Sequence, residues 1–119
     1  MDCLFCKIAA KEINSEIVYE NEKITAFNDI RPQAPVHILV IHKNHTENVN
    51  STNPGNASMY SDLFLAVKEI ADKLGFASDG YRLIINNGGC SMQEVPHLHV
   101  HILSGKKPLG PLLSNQQVI

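Results

Sequence analysis

At 119 residues, 44% hydrophobic and 18% charged, the chain has the length and composition of one domain around one core. With a net charge of −2 and no basic run, it offers no footprint for duplex nucleic acid. No stretch is apolar enough to span a bilayer, and the N-terminus lacks a signal-peptide pattern, so a cytoplasmic protein without a membrane partner is expected.

Cys3 and Cys6 open the chain as a CxxC pair, and Cys90 stands alone. An odd cysteine count with no secretory signal points away from a disulfide framework, towards a metal or free thiols. Ile17 to Tyr19 and Ile24 to Phe27 read as short strands joined by a turn at Glu20-Asn21-Glu22. Pro32 and Pro35 favour an extended approach to a third strand, Val36 to His42. The polar cluster Asn50 to Asn56 marks a turn. Met59, Leu63, Val67, Ile70 and Leu74 then recur at helical spacing, and Gly75 stands where a helix-ending glycine would. Tyr81 to Asn86 is a fourth strand, Asn87 to Ser91 a loop, and His97 to Leu103 a fifth strand. Residues 1–104 form the expected domain; 105–119, with Pro108, Gly110 and Pro111, form an irregular tail. Hairpin strands with one long helix predict an antiparallel α+β fold.

The run His97-Leu98-His99-Val100-His101 carries the chemistry. In a strand, alternate side chains share a face, so three imidazoles line one side while Leu98, Val100 and Ile102 bury on the other. Such a face serves a metal, a phosphate or a proton. A neutral imidazole is a nucleophile near neutral pH and a proton carrier.

Read onward, H-L-H-V-H-I-L followed by S-G-K-K-P-L-G-P-L-L resembles the histidine triad (HIT) family of nucleotide hydrolases and transferases, in particular its bacterial Hint branch. The resemblance extends to Cys3–Ile8, to Ala26–His37 (A-F-N-D-I-R-P-Q-A-P-V-H), to Leu39–His45 (L-V-I-H-K-N-H) and to Tyr81–Asn86 (Y-R-L-I-I-N), in order. It implies a HIT fold: a five-stranded antiparallel sheet, one long helix, a short N-terminal helix, and a sheet continued across a homodimer. It implies a hydrolase of nucleoside 5′-phosphoramidates or related AMP conjugates. His99 would be the nucleophile, His101 the phosphate contact, His97 the residue whose carbonyl orients it, and His37 a proton partner. Asp29 would hold the ribose hydroxyls, and Phe5, Ile8, Ile13, Phe27 and Ile30 the purine. Asn86, Gln93 and Glu94 would face phosphate or leaving group.

The same resemblance implies a structural zinc on Cys3, Cys6, His45 and His97, and no organic cofactor. The tail would pack on or near the active site. The chain departs from the family where Met92 replaces a glycine, Glu94 stands in place of a hydroxyl, Pro96 in place of an aromatic and His42 in place of a proline. Alternatives are a dinucleoside polyphosphate hydrolase or nucleotidyl transferase on the same fold, and a non-catalytic nucleotide- or zinc-binding interaction protein.

Overall fold

The computed structural model describes residues 3–113. Helix α1 spans Leu4–Ala9, followed by strands β1 (Ile17–Glu20), β2 (Ile24–Asn28) and β3 (Val36–His42). Helix α2 (Ser58–Leu74) then leads to β4 (Arg82–Ile84) and β5 (His99–Ser104). The strands form one sheet in the order β1-β2-β3-β5-β4, every pairing antiparallel. No helix among the described residues is long and apolar enough to cross a membrane.

The β1–β2 turn follows from one side chain. Asn21 Oδ1 accepts from the N–H groups of Lys23 and Ile24, both at 2.8 Å, as asparagine does when it mimics a backbone turn. α2 ends at Gly75, whose φ of +82° is the left-handed conformation open to glycine, and whose N–H reaches the Ala71 carbonyl.

The strand pleat sorts the core into two halves. Ile24, Ala26, Ile38, Val40, Leu98, Val100 and Ile102 point to the face that α2 covers with Met59, Leu63, Val67 and Ile70. Leu74, at the end of the expected stripe, is 48% exposed. The opposite face carries Phe27, Leu39 and Ile41 and is covered by Phe5 and Ile8 of α1. Cross-strand register then fixes the histidines. Thr25, Ile41 and His99 make one row on that face. Phe27, Leu39, His101 and Ile84 make the next, and His37, Leu103 and Arg82 the third.

Two strands differ from the sequence expectation. β4 covers only Arg82–Ile84 of the expected Tyr81–Asn86, because this edge strand pairs with β5 over three residues before the chain leaves for the Gly88 loop. β5 begins at His99, not His97. Pro96 supplies no N–H, and His97 N–H bonds back to the Val95 carbonyl at 2.8 Å in a three-residue turn. The tail runs irregularly as far as it is described, and Arg82 Nη2 donates to the Gly110 carbonyl at 2.6 Å. The rest of the expected tail, 114–119, lies outside the described residues.

Candidate active site

His99 and His101 stand side by side on the α1 face, ring centroids 5.0 Å apart. His99 Nδ1 lies 2.7 Å from the carbonyl oxygen of His97. A carbonyl only accepts, so Nδ1 carries the proton and Nε2 keeps its lone pair. Burial holds His99 below the usual imidazole range, which favours that neutral form. Phe5 packs edge-on against the ring at 5.0 Å.

A second set of bonds fixes the neighbouring rings. Gln33 N–H donates to His37 Nδ1 at 3.0 Å, so the proton of neutral His37 sits on Nε2. That Nε2–H faces His101 Nδ1 at 2.9 Å, which leaves His101 with Nε2–H as a free donor. Burial, then the adjacent His99 and His37 imidazoles, push His101 down to about 4. The site therefore places a lone pair on His99 beside a donor on His101, without a positive charge on either.

Asp29 performs two tasks. Its Oδ1 accepts from Arg31 N–H at 2.8 Å, capping the turn into Pro32. Its Oδ2 lies 3.4 Å from His37 Nε2, at the edge of the histidine group. Phe5, Ile8 and Phe27 form one buried apolar surface, with Phe5 and Phe27 edge-to-face at 5.3 Å. Ile13, at 37% exposure, and Ile30, at 89%, are not gathered into it. Asn86 is half-buried just past β4, and Glu94 is exposed but close enough to act on the charge of His99.

Gln93 is committed to its own loop. Its Oε1 accepts from Gly88 N–H at 2.8 Å, and its Nε2 donates to the carbonyls of Glu47 at 2.8 Å and Val95 at 3.1 Å. It holds the segment carrying Glu94, with no donor left over for a substrate. Met92, where a glycine was expected, adopts the left-handed conformation itself at φ +67° and points to solvent. A cavity of about 790 Å³, walled by Val18, Pro35, Leu74, Phe76 and Leu109, lies at the far end of α2 and holds no histidine. The sequence pattern did not signal it, because its walls come from segments far apart in the chain.

His97 turns away from the other two rings. Its Nε2–H donates to the His42 carbonyl at 2.9 Å, which aims the Nδ1 lone pair at Cys3 Sγ, 3.4 Å away, and Cys6 Sγ, 3.5 Å away. His45 Nδ1 completes the group, 3.4 Å from Cys6 Sγ and 3.2 Å from His97 Nδ1. α1 brings the thiols together: Cys3 caps it, its sulfur accepting the Cys6 N–H. Leu98 N–H bonds the Thr46 carbonyl at 2.7 Å and ties the two histidine-bearing segments. A tetrahedral ion with ordinary zinc bond lengths would separate sulfur from nitrogen by about 3.5 Å and nitrogen from nitrogen by about 3.3 Å. The donor set fits such an ion. Without one, burial and the neighbouring Cys3 push the Cys6 thiol up to about 11.

The chain matches one family model, the HIT domain, over residues 10–108. It is 42% identical to the purine nucleoside phosphoramidase of Escherichia coli (strain K12), over 97% of this chain and 96% of that protein. Among solved structures it resembles a histidine triad protein from Clostridium difficile, with TM-score 0.88 and 44% identity, covering 98% of this chain and 97% of that one. It also resembles a HIT family hydrolase from Legionella pneumophila Philadelphia 1, with TM-score 0.85 and 41% identity, covering 92% and 100%.

Proposed function

The chain belongs to the HIT domain family, and we propose that it is a hydrolase of nucleoside 5′-phosphoramidates and related AMP conjugates. The observation that carries this reading is the tautomer of His99. With Nδ1–H held by the His97 carbonyl, Nε2 is a free nucleophile in a buried site. It attacks the α-phosphorus, the phosphorus–nitrogen bond breaks, and its electron pair leaves with the amine. The amine takes its proton from a water molecule, while His37 Nε2–H holds His101 in the form that donates from Nε2. His101 Nε2–H donates to a phosphate oxygen. The hydroxide left by that water attacks the phosphorus, the bond to His99 Nε2 breaks with its electron pair returning to the imidazole, and the nucleoside monophosphate is released.

Asp29 accepts the ribose hydroxyls, and the Phe5–Ile8–Phe27 surface takes a purine, which stacks on apolar and aromatic groups. Asn86 and Glu94 stand on the leaving-group side, on a loop that Gln93 shapes.

Cys3, Cys6, His45 and His97 would hold one zinc ion, for which two thiolates and two imidazoles leave no open position. When bound, the ion ties α1 to the strand bearing the nucleophile; no step of the reaction runs through it. The working form is a homodimer in the cytoplasm. Supporting the dimer, Phe64 on α2 is an exposed apolar side chain, and Tyr81 and Leu83 are exposed at β4, the edge strand of the sheet.

Turnover against phosphoramidates, acyl adenylates and dinucleoside polyphosphates tests the substrate class. Adenosine phosphoramidates are expected to show the highest kcat/KM, with AMP as product. Faster cleavage of dinucleoside polyphosphates would replace the reading with that of a polyphosphate hydrolase.

A further inference from the structure

We propose that His42 is a positioning residue that sets both histidines of the Cys3–Cys6–His45–His97 cluster, and that Asp62 on α2 holds it in the form that does so. The inference deepens the zinc reading above and rests on it.

His42 is the last residue of β3, 7% exposed, with its ring on the α2 side of the sheet and the cluster on the other. It makes three bonds that no proline at this position could make together. Its Nδ1 accepts the Asn44 N–H at 3.1 Å, which bends the chain after β3 so that His45 arrives beside Cys6. Its carbonyl accepts His97 Nε2–H at 2.9 Å, which rotates the His97 lone pair towards both sulfurs. Because Nδ1 is an acceptor, the ring proton is on Nε2, and Nε2–H donates to Asp62 Oδ2 at 3.0 Å. Lys23 Nζ, 3.9 Å from the other Asp62 oxygen, steadies that carboxylate.

Ligand histidines are oriented by the group on their second nitrogen, and loss of that group weakens metal binding even though it never touches the ion. Here the orienting group for His97 is a backbone carbonyl, so its own anchorage matters. The His42 side chain is that anchorage. The connection continues one link further, since the His97 carbonyl holds the nucleophile. Asp62, His42, His97 and His99 thus form one hydrogen-bonded series from the long helix to Nδ1 of the nucleophile's ring.

The test is zinc affinity by competition with a chelator, measured on the full chain for wild type, His42→Val, His42→Asn and Asp62→Ala. Val suits a strand but accepts nothing; Asn keeps an oxygen for the Asn44 N–H. His42→Val is expected to bind zinc about 10–100-fold more weakly. His42→Asn should recover most of that loss, and Asp62→Ala should fall between. Should His42→Val not fold, the Asn and Asp62→Ala variants decide by the same order relative to wild type. Wild-type affinity in every folded variant, with only the melting temperature of the zinc-free protein lowered, overturns the proposal.

If wild type itself binds no zinc, the metal reading falls, and this one is judged on the metal-free chain by ring-nitrogen NMR. His97 should then show a slowly exchanging Nε2–H in wild type and a rapidly exchanging one in His42→Val. Equal exchange in the two overturns it.

Discussion

His99 Nδ1 donates to the carbonyl oxygen of His97 at 2.7 Å, and this single bond decides which nitrogen of His99 can react. Replacement of His99 by Ala removes the covalent step. Turnover is expected to fall by at least about a thousandfold, with nucleotide affinity largely kept. Steady-state kinetics with equilibrium AMP binding, on protein free of host hydrolase, checks both halves. Near-normal turnover would remove His99 from the mechanism.

Asp29 divides its two oxygens between a turn and the site. Asp29→Asn keeps an acceptor for Arg31 N–H while losing the charge. The variant should fold normally and raise KM for ribonucleotide substrates, with a much smaller change for 2′,3′-dideoxy analogues. Equal KM changes for both sugars would reduce Asp29 to a turn cap.

His101 gives stability a sign with pH. Its value falls from the usual 6.5 to about 4 on folding, chiefly through burial. Between those values the unfolded chain binds the proton and the folded chain does not. Stability contributed by the neutral ring is therefore intact above pH 6.5 and lost as pH falls towards 4. Denaturant unfolding should show stability declining over this window, with a slope from this group of up to about 1.4 kcal/mol per pH unit. His101→Gln, which cannot titrate, should flatten the decline. An unchanged slope in that variant would show the imidazole to be solvated in the folded state.

Phe64, 44% exposed, and Leu65, 64% exposed, lie on the outer side of α2. If that side joins two chains, Phe64→Glu buries a charge in the contact and should convert a dimer into a monomer at micromolar concentration. Light scattering reports the mass directly. A wild-type monomer would overturn the dimer, and a variant dimer as tight as wild type would move the contact elsewhere.

The element pattern was legible because it is local. The spacing of Met59, Leu63, Val67 and Ile70 specifies one buried helix face, and the alternation in Leu98, Val100 and Ile102 specifies one buried strand face. The same alternation placed His99 and His101 together. Cys3 and Cys6, three apart, meet on one helical turn for the same reason. Ring rotation and donor assignment are not local. His97 and His45 lie 52 positions apart, and only the packed sheet shows their nitrogens 3.2 Å from each other. The alternation suggested that His97 shares its neighbours' task; a carbonyl from β3 and the turn after Pro96 rotate it to the cysteines instead. Ile30 matched a pocket position in sequence, and its 89% exposure sets it apart from the buried Phe5, Ile8 and Phe27, a difference that only the packed chain shows. Gln93 matched a substrate-facing position but spends its amide on Gly88, Glu47 and Val95. Residue order alone thus determines which faces bury and which residue types gather. Which lone pair or proton each polar group presents is decided by hydrogen-bond partners that distant segments deliver, and that assembly exists only in the tertiary structure.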